Sequence, residues 1–136
     1  NGYQYVTDSN YDWGQDLKRL GEFVKNYNLC TDKTQLSSEY PCHQLTLDGS
    51  LPTQNSIDKI RVDYFGGSNP RFHLGDTYIP WHSHLAPESG WYAISIGFLQ
   101  ENWYKTHGPN EQTYAWLKDM KPVARIGDSI FVYYKP

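Results

Sequence analysis

Asp8, Asn10, Asp12, Trp13, Gln15 and Asp16 crowd into nine positions where a short β-prone run gives way to an amphipathic helix. In open α/β sheets such junctions line the mouth of the sheet, and ligands bind there. Trp13 offers a flat face, and Asp8, Asn10, Asp12 and Gln15 offer hydrogen bonds. That combination suits a sugar or a polar peptide loop. Asp8 also stands where a strand-end carboxylate could serve a metal or a phosphate. The Asp-x-Asp spacing of the common phosphotransfer folds is missing, however, and no lysine follows a later strand as those enzymes require. An architectural reading competes for half of the run. Asp12 and Gln15 have capping-box spacing, and Asp16 falls in the first helical turn, where the helix dipole favours a carboxylate. Asp8, Ser9, Asn10 and Trp13 are left without a role by that reading.

Three further groups of residues have chemical potential. Gly66-Gly67-Ser68-Asn69-Pro70 follows a strand-like run, and its backbone amides could form an anion-binding nest. It lacks the Gly-x-x-x-x-Gly-Lys pattern, and such a run is more often a turn. Trp81-His82-Ser83-His84 places two imidazoles at i and i+2, on the same side of an extended segment. A metal would need a third ligand, for which His73 is the nearest candidate; a solvated loop is the commoner outcome. Cys30 and Cys42 flank a polar stretch without helical or strand period. A zinc site would want four closely spaced ligands, and only His43 is near. A disulfide would order the stretch and imply an oxidising compartment; the alternative is two free thiols in a cytoplasmic loop.

The secondary structure around these residues can be read from the chain. Tyr3–Thr7 is strand-like. Asp16 to about Asn28 is helical, with Leu17, Leu20, Val24 and Tyr27 on one stripe. Residues 29–56 form a polar insertion, long for a compact domain unless functional or tied down. Lys59–Phe65 alternates as a strand, 71–88 is irregular, and Trp91–Phe98 reads as a central strand apolar on both faces. Asn110–Lys121 reads as a second helix, and Val123–Ile126 with Ile130–Tyr134 as a hairpin around Gly127-Asp128-Ser129. Alternating strands and helices predict an α/β fold, a small three-layer Rossmann-like domain with a mostly parallel sheet. The expected order is 2-1-3-4, with Tyr3–Thr7 central and the last strand antiparallel at the edge. The loops Asp8–Gln15, Phe65–Asn69 and Gly97–Asn102 would then meet at one edge. Asp8, Asn10, Asp12, Trp13, Gln15 and Gly66 are the expected lining of a crevice there.

Bulk properties narrow the class. The 136 residues suffice for one domain. A net charge of -3, with no basic cluster longer than Lys18-Arg19, argues against nucleic-acid partners. Twelve Tyr and five Trp in a chain of mean hydropathy -0.73 suit either a ring-packed core or a surface that contacts sugars. No apolar run approaches the roughly 18 residues of a membrane span. The opening Asn1-Gly2, without an initiator Met, reads as the start of a fragment of a longer protein.

The run Asp8-Ser9-Asn10-Tyr11-Asp12-Trp13-Gly14-Gln15-Asp16-Leu17, preceded by Asn1–Val6, resembles the extracytoplasmic tail of polytopic GT-C-type glycosyltransferases. These are the enzymes similar to protein mannosyltransferases and aminoarabinose transferases. Tyr64-Phe65-Gly66, Ala93-Ile94-Ser95, Tyr114-Ala115-Trp116-Leu117, Pro122 and Ile126-Gly127-Asp128-Ser129-Ile130 fall in the same order as in that family. The resemblance implies a parent with many transmembrane helices that takes sugar from a polyprenyl-phosphate carrier. Its catalytic carboxylate would lie near the amino end, outside this chain. It implies an extracytoplasmic domain, anchored through a missing amino-terminal region, with no catalytic residue and no cofactor of its own. Its partners would be the transmembrane part of the parent and a glycan, lipid-linked sugar or acceptor protein. The cysteine-bearing insertion and Trp-His-Ser-His depart from the family pattern. Two other readings of the residues stand beside this one: a free-standing carbohydrate- or protein-binding module, and a metal- or phosphate-dependent hydrolase using Asp8 and Asp12.

Overall fold

The computed structural model describes residues 14–32, 41–104 and 113–136, with backbone only for 102–104. Helix α1 (Gln15–Thr31) buries Leu17, Leu20, Phe23, Val24 and Tyr27 along one side and leaves Lys18, Arg19, Glu22 and Lys25 exposed. The apolar stripe is the one that 3.6-residue periodicity demands. The helix starts earlier than its periodicity suggests. Its N-cap is Gly14, at φ 113°, with no side-chain cap. The capping-box spacing of Asp12 and Gln15 therefore does not describe this helix start, because Gln15 is the first helical residue rather than the third.

Strand β1 (Ile60–Asp63) is followed by α2 (Pro70–Leu74), a 3-10 turn (Gly75–Thr77) and β2 (Tyr78–Pro80). Then come β3 (Gly90–Ser95), α3 (Ile96–Tyr104), a 3-10 turn (Tyr114–Leu117), β4 (Ala124–Ile126) and β5 (Ile130–Lys135). The open sheet has the order β2-β1-β3-β5-β4. β2, β1 and β3 are parallel, and β5 is antiparallel to both β3 and β4. Four of the five strands thus run in one direction, and the α/β class holds.

The order departs from expectation in three ways. β1 pairs directly with β3 through Ile60↔Trp91 to Asp63↔Ile94, so no strand from Tyr3–Thr7 lies between them. Tyr3–Thr7 itself falls outside the described residues. β5 is an inner strand and β4 is the edge. The six residues of β5 match β3 along its whole length, whereas β4 has three and exposes Arg125. A short charged strand suits an edge. The irregular 71–88 stretch yields the other edge strand, β2, which ends in Pro80.

Two helix assignments also change. The strand-like run Trp91–Phe98 turns helical at Ile96. Part of the expected second helix falls outside the described residues, and its remainder is only the 3-10 turn Tyr114–Leu117. Aromatic and β-branched character at 96–98 does not separate a strand end from a buried helix start.

Each face of the sheet carries a core. On one, Ile60, Val62, Trp91, Ala93, Ile130 and Val132 pack with α1 and with Leu74 of α2. On the other, Tyr92, Ile94 and Tyr133 pack with Trp81, Leu99, Tyr114 and Leu117. Strand alternation sends successive residues to opposite cores. Rings supply much of these cores: Tyr27, Tyr92, Tyr114 and Tyr133 are among the largest fully buried side chains.

Cys30 and Cys42 are joined, with an S–S distance of 2.02 Å and Cα atoms 5.9 Å apart. The disulfide is not the only tie on the insertion. The Tyr27 hydroxyl donates to Thr53 O at 2.5 Å. The Asn28 amide donates to Ile57 O at 3.2 Å and accepts from Ile57 N at 2.6 Å. Leu45, Leu51 and Ile57 add apolar contacts to the α1 core.

Candidate functional site

The carboxyl ends of β1, β2 and β3 share one edge of the sheet, because the three strands are parallel. From β1 the chain turns to β2 through α2, which packs in the α1 core; from β3 it turns the other way through α3, in the opposite core. Connections that diverge on opposite faces create a topological switch point. The switch point lies between β1 and β3; the strand Tyr3–Thr7, beside which the expected order places it, falls outside the described residues.

At this point Asp63, the last residue of β1, is buried. Alternation along β1 directs Arg61 and Asp63 away from the α1 core, which takes Ile60 and Val62. Arg61 pairs with Glu88 at 2.9 Å and lies over the Trp81 and Tyr92 rings. Asp63 accepts a 2.6 Å hydrogen bond from the buried Tyr114 hydroxyl. His82 Nδ1 lies 3.7 Å from the other carboxylate oxygen. The His82 and His84 rings stack, with centroids 5.8 Å apart and planes 8° from parallel. Just beyond, Phe65 N donates to Ser95 Oγ at 2.8 Å, and the Phe65 ring meets Phe98 edge-on.

Burial pushes the Asp63 carboxyl above the usual carboxylate range, while the Tyr114 hydroxyl and the charges of His82 and His84 pull the other way. Burial, reinforced by the neighbouring Asp63 charge, raises Tyr114, so it keeps its proton and remains the donor. Asp63 binds its proton more tightly folded than unfolded. It therefore costs stability as pH rises from about 4 through its folded value. Asp63→Asn, which can still accept from Tyr114, should abolish that part of the pH dependence. Urea unfolding between pH 4 and pH 7 measures it, and an unchanged slope in the variant would place the dependence elsewhere.

A second carboxylate, Asp16, organises the same edge from the α1 side. Asp16 Oδ2 accepts from Asp128 N at 3.0 Å, Ser129 N at 3.0 Å and Ser129 Oγ at 2.7 Å. Its Oδ1 pairs with Arg19 at 2.6 Å. The hairpin loop 127–129 lies at this edge because Ser95 pairs with Ile130 and Ile96 N donates to Ser129 O. The expected dipole position of Asp16 is correct, but the carboxylate is spent chiefly on a long-range clamp.

Of the residues expected to line a crevice, Asp8, Asn10, Asp12 and Trp13 lie outside the described residues. Gln15 is exposed at the first turn of α1, and Gly66 is half-buried just past β1. The ends of their two loops do approach one another: a Cβ on Gly14 would sit 3.3 Å from Ser68 Cβ. Residues 97–102 are helix rather than loop. His73 contacts Phe72 edge-on, and among the described residues no group of three His, Cys, Asp or Glu side chains is placed to hold a metal ion. Asp63 and Tyr114 were missed as partners. Asp63 sits mid-run in a strand, and Tyr114 is 51 positions away; only the fold joins them. Among the described residues no helix is long and apolar enough to cross a membrane. Comparison with family models, curated proteins and solved structures finds no match to this chain.

Proposed function

We propose that this chain is the extracytoplasmic carboxyl-terminal domain of a polytopic GT-C-type glycosyltransferase. In this reading it is a small Rossmann-like unit that carries no catalytic residue and supports engagement of substrate or acceptor beside the membrane. The observation that carries the reading is the Asp16 clamp. Two separated runs that resemble the family, Gln15-Asp16-Leu17 and Gly127-Asp128-Ser129, are hydrogen-bonded to each other. Their joint occurrence has a physical cause: a buried carboxylate, two backbone donors and a glycine that leaves room for it. The Cys30–Cys42 disulfide supports an oxidising, extracytoplasmic setting.

The engagement surface is assigned to the Asp8–Gln15 loop, whose end reaches the carboxyl edge at Gly14. The test is Asp8→Ala and Trp13→Ala in the full-length membrane protein. Loss of glycosyl transfer with an unchanged melting temperature of the isolated chain is the expected outcome. Parallel loss of both would make the loop architectural. The reading frame upstream of Asn1 gives an independent check, since one encoding no apolar spans would overturn the parent assignment.

A further inference from the structure

We propose that Phe72 and the cations around it, Lys18, Lys25 and Arg71, form a surface that docks onto an anionic phospholipid bilayer. Phe72 is 83% exposed, more than Leu47, the other large exposed apolar side chain among the described residues. It stands on the outer side of α2, whose inner side buries Leu74. Its ring meets His73 edge-on and belongs to neither core.

The seat of α2 on α1 brings the cations to this ring. Gly14, Lys18, Gly21 and Lys25 fall at i, i+4, i+7 and i+11, along one stripe of α1. The two glycines of the stripe lie against residues 68–73. A Cβ on Gly14 would be 3.3 Å from Ser68 Cβ, and one on Gly21 would be 3.0 Å from His73 O. The two lysines of the stripe therefore border α2, and both are exposed. Arg71, also exposed, lies over the Tyr78 ring. Lys18, Lys25 and Arg71 form no ion pair among the described residues. Glu22 is the acidic neighbour on α1, and at the end of α2 Lys59 donates to the backbone oxygen of Asp76. The face keeps a positive excess on a chain whose net charge is -3. A bilayer fits this arrangement better than a protein does. One ring covers about 200 Å² at most, whereas a stable protein interface takes roughly 800 Å² from each partner. A lone aromatic ring among Lys and Arg settles at headgroup level, with the ring on the apolar side and the cations at the phosphates. The inference does not rest on the glycosyltransferase reading. Its probe is a protein-free vesicle, so either can fail while the other stands.

The full chain is floated with vesicles of phosphatidylglycerol and phosphatidylcholine in equal parts, and with vesicles of phosphatidylcholine alone. Binding to the first and not to the second, weakened by added salt, is expected. Phe72→Ser should lower the partition coefficient at least about fivefold. Lys18→Gln with Arg71→Gln should lower it roughly fivefold per charge removed. Leu47→Ser should leave it unchanged, because Leu47 bonds to Val123 beside β4, at the sheet edge opposite the β2 edge on which α2 lies. All four positions are exposed, so the variants fold. No binding to the anionic vesicles, equal binding to both kinds of vesicle, or binding undiminished by Phe72→Ser would overturn the proposal. Self-association that Phe72→Ser abolishes, without vesicle binding, would assign the surface to a second copy of this chain and overturn it as well.

Discussion

Gly127→Ala is expected to destabilise the domain by about 2–4 kcal/mol, among the largest effects of any single methyl group in this chain. Two costs add. Gly127 has φ 55°, a left-handed conformation that an L side chain adopts at a cost of about 1–2 kcal/mol. A Cβ there would also overlap the Asp16 carboxylate, which cannot retreat without releasing Asp128 N, Ser129 N and Ser129 Oγ. Asp16→Ala should cost a similar amount by itself, because it strands two backbone donors at a part-buried site. The informative measurement is the double-mutant cycle in urea unfolding. Once Asp16 is Ala, the overlap at 127 is relieved and only the backbone strain remains. The double variant should be more stable than the sum of the singles by at least about 1 kcal/mol. Simple additivity would mean that the two residues do not share one site.

Replacing both cysteines by Ser is expected to cost about 3 kcal/mol, the loop-closure value for a cross-link of this span. The bridge joins the last turn of α1 to the 3-10 turn Cys42–Gln44, 12 positions apart. Without it the unfolded chain regains that freedom. The loss should be felt first at the end of α1, so amide protection at Asn28–Thr31 should fall more than protection in β3 and β5. The Tyr27 and Asn28 clamps onto Thr53 and Ile57 set the opposing possibility. A loss below about 1 kcal/mol would show that these hydrogen bonds already order the insertion. The disulfide would then add little to the order of residues 41–56.

The contrast between α1 and the Asp63 cluster separates what was legible in the chain from what was not. Helix α1, the hairpin around Gly127 and the strand at Lys59–Phe65 follow from local pattern, since each repeats its apolar residues with its own period. The pairing of Cys30 with Cys42 was legible because no other cysteine exists and the stretch between them is polar. Strand order was not legible, because it is set by which strands match in length and by which faces the crossovers cover. β5 reached the interior because it pairs with all six residues of β3. The helix start at Ile96 was hidden for a related reason: a run apolar on both sides fits either element.

The site divides in the same way. The two imidazoles of Trp81-His82-Ser83-His84 declare themselves by spacing, but the carboxylate that His82 faces, Asp63, lies 19 positions earlier on β1. Tyr114 reaches that carboxylate only because the second core brings it beneath β1. Asp16 belonged to a recognisable helix start, yet the three donors to its Oδ2 lie 112 and 113 positions away. Residue type and local period determined the elements and the candidate chemistry. Long-range packing decided the partners, because a buried carboxylate takes its donors from whatever the fold places within hydrogen-bond reach.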